Sequence, residues 1–221
     1  MAVAFRSAVG TNFITANTIT LSEPTGATTD DILFAAVYHE GGAAVTITPV
    51  AAWNLIGSKT TSANGEVTMA VYWFRRTGSA PSYVFNLSSS VVVQGSTCAY
   101  SGAITSGDPQ DVTASINKAD TGTTITFTGI TTVTDNSMVI GIACDFTFEA
   151  RANVDFTNER LDSNANTAIW IGDDGLKTPA GATGNQTITT ATSDSWIAFL
   201  IAIKPPAAAT TSASTLLMMG V

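Results

Sequence analysis

The chain has 221 residues, of which 45% are hydrophobic and only 12% are charged, and its formal net charge at pH 7 is −8. This length allows one large β domain whose core needs no disulfide or metal to hold it together. The nine Lys and Arg stand against 17 Asp and Glu. Because phosphate contacts need clustered cations, this balance argues against a nucleic-acid-binding protein.

Short runs rich in Thr, Val, Ile, Tyr, Phe and Trp recur about every ten residues, separated by Gly, Asn, Ser, Asp and Pro. This spacing is typical of an all-β sandwich or barrel, and no amphipathic helix is predicted. In chain order, the predicted strands are Ala2–Phe5, Thr18–Leu21, Ile32–Tyr38, Val45–Pro49, Asn54–Lys59, Val67–Arg75, Ser82–Leu87, Val91–Ser101, Thr123–Thr128, Ser137–Phe146, Ala168–Gly172, Gln186–Thr189 and Ser195–Lys204.

The last predicted strand, SWIAFLIAIKPP, is the most apolar stretch of the chain. It falls short of the roughly 20 apolar residues that a membrane-spanning helix requires, and Pro205 and Pro206 end it. The sequence therefore predicts a buried strand and no membrane span. The first ten residues, MAVAFRSAVG, lack the charged and apolar regions of a secretory signal, which predicts synthesis in a cytoplasm.

An internal repeat organises these strands. NTITLSEPTGATTDDILFAAVY resembles TTITFTGITTVTDNSMVIGIAC, so that Thr18 corresponds to Thr124 and Asp31 to Asn136. SSSVVVQGSTCAYSGA likewise corresponds to ATSDSWIAFLIAIKPP. Because pairing the two units would bury their long apolar strands together, we expect a single body.

The predicted fold is therefore all-β, a jelly-roll-like antiparallel β-sandwich built from an internal duplication. The sandwich spans residues 12–204, with repeat copies at about 12–106 and 118–204. Residues 1–11 are predicted to form an N-terminal arm and residues 205–221 a C-terminal tail, since the segment after Lys204 has too little bulk to build a core.

No catalytic, cofactor-binding or metal-binding residue is predicted. The single histidine, His39, follows an apolar strand and precedes Glu-Gly-Gly, where a turn or surface position is expected. A zinc site would have to combine it with Cys98 and Cys144, which are widely separated and fall in apolar runs typical of reduced core thiols. Phosphate-binding glycine loops are absent from the sequence.

Two further chemistries remain open at this stage. A pair of carboxylates could hydrolyse a glycoside, and Asp173 with Asp174 could bind Ca²⁺ through loop oxygens. The tryptophans are expected to pack in the core rather than stack on sugars, because each lies in or beside an apolar strand. The candidate carboxylates are Asp145, Glu149, Asp155, Glu159, Asp162, Asp173 and Asp174, and the tryptophans are Trp53, Trp73, Trp170 and Trp196.

The segments GSTCAYSGA, DPQDVTAS and DSWIAFLIAIKPP resemble a family of β-sandwich proteins of tailed bacteriophages and prophages. Members of that family typically carry AYSGV and NPIDA at mid-chain and end in a strand like WIAALVALRP. Here SGDPQDVTAS replaces the Asn-Pro-Ile-Asp turn, with Asp108, Pro109 and Asp111 keeping its turn character. The resemblance covers about residues 12–206 and carries no catalytic residue.

The resemblance implies a virion structural protein, made in the host cytoplasm, that decorates or cements the capsid. Its expected partners are the major capsid protein and further copies of itself, with a trimer expected by analogy. Partner contacts are predicted at the two ends of the chain, through Phe5, Arg6, Leu216, Leu217, Met218 and Met219. A tail-associated module that binds a carbohydrate or receptor is the alternative, and a glycoside hydrolase is a third candidate.

Overall fold

A computed structural model describes residues 2–147, 149–162 and 168–207. Within them the chain forms antiparallel sheets and no helix, which confirms the predicted all-β sandwich class. The strands are β1 (Ala4–Gly10), β2 (Ile14–Thr20), β3 (Ile32–His39), β4 (Ile47–Pro49), β5 (Asn54–Leu55), β6 (Thr60–Thr61), β7 (Thr68–Arg75), β8 (Val84–Ser101), β9 (Ser115–Ala119), β10 (Thr124–Phe127), β11 (Ser137–Asp145), β12 (Ala152–Asn153), β13 (Asn158–Leu161), β14 (Ile169–Lys177), β15 (Gln186–Thr189) and β16 (Trp196–Ile203).

Strand β8 connects two layers of the first half. Its first residues pair with β2 and β4, and its later residues pair with β1 and β3. Strand β3 in turn pairs with β7. The sequence predicted two strands, Ser82–Leu87 and Val91–Ser101, whereas the structure has one continuous strand whose pairing with β2 shifts register at the three serines between them.

The second half repeats this arrangement with its two layers as separate sheets. The inner sheet has the order β13-β14-β11-β16-β9, and the outer sheet has the order β10-β15-β12. Strands β15 and β16 together take the place of β8. Strand β9 takes the place of β1. Strand β1 lies outside the copy limits predicted from the sequence, and β9 begins three residues before the predicted start of the second copy.

The pairing registers fix the correspondence between the halves. Ile32 pairs with Tyr100 in the first half, and Met138 pairs with Ile203 at the same place in the second. Ile32 therefore corresponds to Met138. The residues two positions earlier are Asp30 and Asn136, so Asn136 corresponds to Asp30 and not to Asp31. Both residues have positive φ, 70° for Asp30 and 63° for Asn136. The predicted correspondence of Asp31 with Asn136 was therefore wrong by one residue.

The two halves stack through their inner sheets. Alternate residues of β3, including Phe34 and Tyr38, join alternate residues of β11 and β16, including Ile140 and Phe199, in one central core. The intervening residues of β3 face an outer core of the first half, and those of β11 and β16 face an outer core of the second. Because β3, β11 and β16 are covered on both faces, they are apolar along most of their length. The segment SWIAFLIAI is a buried strand, as predicted.

Part of the predicted N-terminal arm belongs to the sheet. Residues Ala4–Gly10 form β1, which pairs with residues 96–101 of β8. Val3, just before this strand, is buried in the central core. Removal of the first dozen residues would therefore take away a strand of the inner sheet.

Candidate interaction face

Both halves place their central strands so that the same end of the molecule carries two similar turns. Strands β3 and β11 begin at this end, and β8 and β16 finish there. Two cavities lie between these elements, and Pro206, just beyond β16, lines both of them. We call this end the terminal face and define it by Asp30, Asp31, Asp135, Asn136 and Pro205–Ala207.

The two turns have the same backbone hydrogen bonds. The Asp30 N–H donates to the Arg76 carbonyl at 2.8 Å, and the Asn136 N–H donates to the Lys177 carbonyl at 2.8 Å. Asp and Asn accept the left-handed conformation better than other side chains, because they can bond locally to the backbone. The repeated acidic or amide residue at this point is therefore explained by the turn.

The left-handed turn provides a direct test of backbone strain. Asp30→Val is expected to lower the free energy of unfolding by about 1–2 kcal/mol, because a β-branched residue is strained at positive φ. Asp30→Gly is the matched control and should cost less, since glycine adopts this conformation freely. Urea denaturation of both variants measures the difference, and equal losses would contradict the role of φ.

The Asp31 carboxylate anchors the first strand to this face. It is buried, and its Oδ2 atom accepts a bond from the Thr28 N–H at 2.8 Å and lies 2.5 Å from Arg6 Nε. Arg6 also donates through Nη2 to Thr28 Oγ1 at 3.0 Å. This ion pair joins β1 to the turn that precedes β3.

The cavities differ in size but share an acidic wall. The first has a volume of about 340 Å³ and includes Arg6, Asp30 and Asp31 in its lining. The second, of about 530 Å³, includes Asp135, Asn136 and Ala2. Asp30 and Asp135 are exposed. Val133, two residues before Asp135, is the most exposed large apolar residue of the described chain at 70%.

The basic side chains are largely engaged within the chain. Each of the five arginines bonds a carboxylate or a carbonyl, and Lys59 and Lys118 donate to backbone carbonyls. Most basic charge is thus neutralised internally or tied to backbone, while carboxylates such as Asp30 and Asp135 remain at the surface. At the terminal face, the exposed Asp30 and Asp135 carry negative charge, and Lys177 and Lys204 lie beside them at the ends of β14 and β16.

The structure also places the residues predicted to contact a partner. The Phe5 ring packs edge-on against Tyr100, with centroids 5.5 Å apart, and the Arg160 guanidinium lies 4.4 Å above its centre. Arg6 is in the ion pair with Asp31. Both side chains thus have internal partners, and their role in binding stays a prediction. Residues Leu216, Leu217, Met218 and Met219 lie outside the described residues.

His39 is buried, which corrects the expected turn or surface position. It ends β3, and its Nδ1 atom accepts a hydrogen bond from the Gly41 N–H at 3.0 Å. Its pairing with β7 and β8 covers it on two sides. The burial of His39 could not be predicted from the local sequence, because the Glu-Gly-Gly that follows suggests an exposed turn.

The candidate carboxylates of the second half serve the structure of their loops. The Asp173 carboxylate is buried and accepts bonds from Arg160, Asn158 and Tyr100, so its oxygens already have protein partners where the calcium hypothesis needs ligands. The other carboxylates also accept bonds from the chain, at Asp145, Glu149, Asp155, Glu159, Asp162 and Asp174.

The tryptophans and cysteines lie where the sequence predicts. Trp53, Trp170 and Trp196 are buried, and Trp73 packs against the central core. Cys98 and Cys144 are free thiols in the central core. Burial raises the pKa of both thiols, which keeps them protonated.

The described residues contain no group of three or more His, Cys, Asp or Glu arranged to hold a metal ion. In the same residues, no helix is long and apolar enough to span a membrane. Comparison of the chain with protein-family models, with curated proteins and with solved structures gave no match.

Proposed function

We propose that this protein is a non-enzymatic structural component of a bacteriophage virion, a capsid decoration or cement protein that binds the assembled head. The resemblance of GSTCAYSGA, DPQDVTAS and DSWIAFLIAIKPP to phage β-sandwich proteins supports this proposal. The stacked sheets agree with it, because a rigid body with a large shared core suits a protein that stabilises a lattice.

The observation that carries the proposal is the terminal face with its exposed Asp30 and Asp135 carboxylates. It combines two cavities with Pro205–Ala207, and the exposed Val133 lies two residues before Asp135. Because the net charge is −8 and most basic groups are bonded internally, the complementary partner surface is a basic one. The face thus fits a protein partner with exposed Lys and Arg.

Copies of the chain would act together on such a lattice. A contact of about 800 Å² per partner is typical of a specific protein interface, and simultaneous engagement of several copies raises the effective affinity by orders of magnitude. Self-association, with a trimer as the expected form, belongs to this proposal.

The test is binding of purified protein to assembled capsids that lack it. Saturable co-sedimentation is expected at a ratio set by the lattice, weakening as salt rises. Asp135→Lys should weaken binding at least several-fold by placing like charge opposite the basic partner. Asp155→Lys, an identical charge change at an exposed site on the outer sheet of the second half, is the matched control.

Deletion of residues 208–221 complements this test. We expect weaker capsid binding with unchanged thermal unfolding of the body. If both the deletion and Asp135→Lys bind like the full chain, the terminal face is not the docking surface. If neither the full chain nor the deletion variant binds capsids saturably, the result argues against the decoration role altogether.

The alternative of a carbohydrate-binding module receives less support from the geometry. Sugar recognition uses exposed aromatic rings, whereas Trp53, Trp170 and Trp196 are buried in their respective cores. A glycan array probed with the full chain would distinguish the two functions.

A further inference from the structure

The central strand of each half ends in a buried polar residue that fastens the loop after it. The equivalent positions are His39 and Asp145, because His39 pairs with Val93 and Asp145 pairs with Trp196 at the same place in the repeat. In the second half, Asp145 forms an ion pair with Arg151 at 2.7 Å. In the first half, the corresponding contact is made by an imidazole.

The loop of the first half, residues 40–46, is anchored at both ends, where the Glu40 N–H donates to the Val92 carbonyl at 3.0 Å and Thr46 exchanges two hydrogen bonds with Ser88. Its middle is held by His39 and Lys59. His39 Nδ1 accepts the Gly41 N–H at 3.0 Å. Lys59 Nζ donates to the Ala43 carbonyl at 2.7 Å and to the Val45 carbonyl at 2.5 Å. We call this loop the flap.

The flap lies directly on apolar side chains. A Cβ atom built at Gly41 would lie 2.5 Å from Val45 Cγ2 and 2.7 Å from Val91 Cγ1. Glycine is required there because the backbone approaches these two valines so closely. Movement of the flap would separate Val45, which belongs to it, from Val91 and uncover both side chains.

The charged groups around His39 come from two elements. Lys59, on the segment that packs over the flap, is a nearby positive charge, and Glu40 accepts the Tyr38 hydroxyl at 3.2 Å on the other side. The residues that pair with His39, Thr68 on β7 and Val93 on β8, carry no charge.

These surroundings favour the neutral imidazole. Burial, with a smaller effect of Lys59, lowers the pKa of His39 to about 4. Burial also raises the pKa of Glu40, although its bond with Tyr38 acts in the opposite direction. Both groups can therefore titrate in acid, and a test must separate them.

We propose that the flap is an acid-released device, closed while His39 is neutral and opened when a proton binds Nδ1. Protonation converts Nδ1 from an acceptor into a donor that faces the Gly41 N–H, and it places a second positive charge near Lys59. The Gly41 bond is then lost, the middle of the flap lifts, and the Val45 and Val91 side chains separate and become available for an apolar contact. This inference is independent of the proposed capsid function.

Linkage determines whether the open fraction of the flap rises or falls with pH. An open flap frees His39 to titrate near its ordinary value of 6.5, whereas the closed flap holds it at about 4. Between these values the open form binds more protons, so the open fraction rises about tenfold for each unit of falling pH. Below about pH 4 both forms are protonated and the change stops.

The experiment is amide hydrogen exchange by NMR on the full chain, from neutral pH to below about 4. After correction for intrinsic rates, protection of the Gly41 and Val45 amides should fall about tenfold per pH unit between about pH 6.5 and pH 4 and level off below that. The Arg151 amide, in the equivalent loop of the second half, is the internal control and should keep its protection. Far-UV circular dichroism reports whether the sheets remain intact.

Two variants assign the effect. His39→Gln keeps a neutral acceptor for the Gly41 N–H and should abolish the pH slope, whereas Glu40→Gln should leave it in place. A slope that survives His39→Gln would assign the transition to another group and overturn the proposal. Simultaneous loss of protection at Gly41, at Arg151 and throughout the sheets would overturn it as well, since that pattern is global acid unfolding.

Discussion

Arg151→Met is expected to lower the free energy of unfolding by about 3–5 kcal/mol, the range found when one partner of a buried ion pair is removed. Arg151 is buried, and its Nε and Nη2 atoms donate to the two oxygens of Asp145 at 2.7 and 2.8 Å. Nη2 also donates to the Ala168 carbonyl at 2.8 Å. The variant leaves the Asp145 carboxylate buried without this cation, and urea denaturation measures the loss.

The double variant Arg151→Met with Asp145→Leu tests the physical reason. If most of the loss comes from the uncompensated buried charge, removing both charges should recover a large part of it. A loss in the double variant equal to the sum of the two single losses would contradict this account. Arg76→Met is the control at a surface pair, where removal of the cation beside Glu23 should cost far less than removal of Arg151.

Gln186–Thr189 matches β15 at both ends, and the long predicted strands whose burial leaves a strong pattern are nearly as accurate. Ile32–Tyr38, Ser137–Phe146 and Ser195–Lys204 agree with β3, β11 and β16 to within one residue at each end. They are covered on both faces, so an unbroken apolar run marks them in the sequence.

Edge strands were harder to predict. Strand β9, with the sequence SINKA, was missed because an edge strand with partly exposed residues has no continuous apolar run. Residues 6–10 of β1 were assigned to an arm for the same reason. Their strand character comes from pairing with β16 and β8, which local sequence does not encode.

The candidate site could be predicted only in part. The Asp-rich turn at Asp30 was visible, with the repeat placing a similar turn near Asn136. Their meeting around Pro206 depends on how the halves stack, which a linear pattern does not contain. The net charge of the sequence indicated an acidic surface. The internal pairing of arginines such as Arg6 and Arg160 could be seen only in the structure.

Phe34→Ala is expected to destabilise both halves together by about 3–5 kcal/mol, the usual cost of removing a large aromatic side chain from a core. Phe34 belongs to the first half, but it lies in the central core with Ile140 and Phe199 of the second. Because the two halves share this core, the substitution should lower the midpoint of a single cooperative unfolding transition. Two independent domains would instead show one destabilised transition and one unchanged transition.

The cysteines provide a probe in each half. Cys98 on β8 and Cys144 on β11 are both buried in the central core, so each thiol reacts when its own half unfolds or when the two inner sheets separate. Labelling across a urea gradient, followed by mass spectrometry, should give Cys98 and Cys144 the same midpoint as each other in the native chain. In Phe34→Ala, both midpoints should shift together to a lower urea concentration. Leu33→Ala, in the outer core of the first half, is the matched control at the neighbouring position. If Phe34→Ala shifts only the Cys98 midpoint, the halves unfold separately, and the central core is a contact between two domains rather than the core of one.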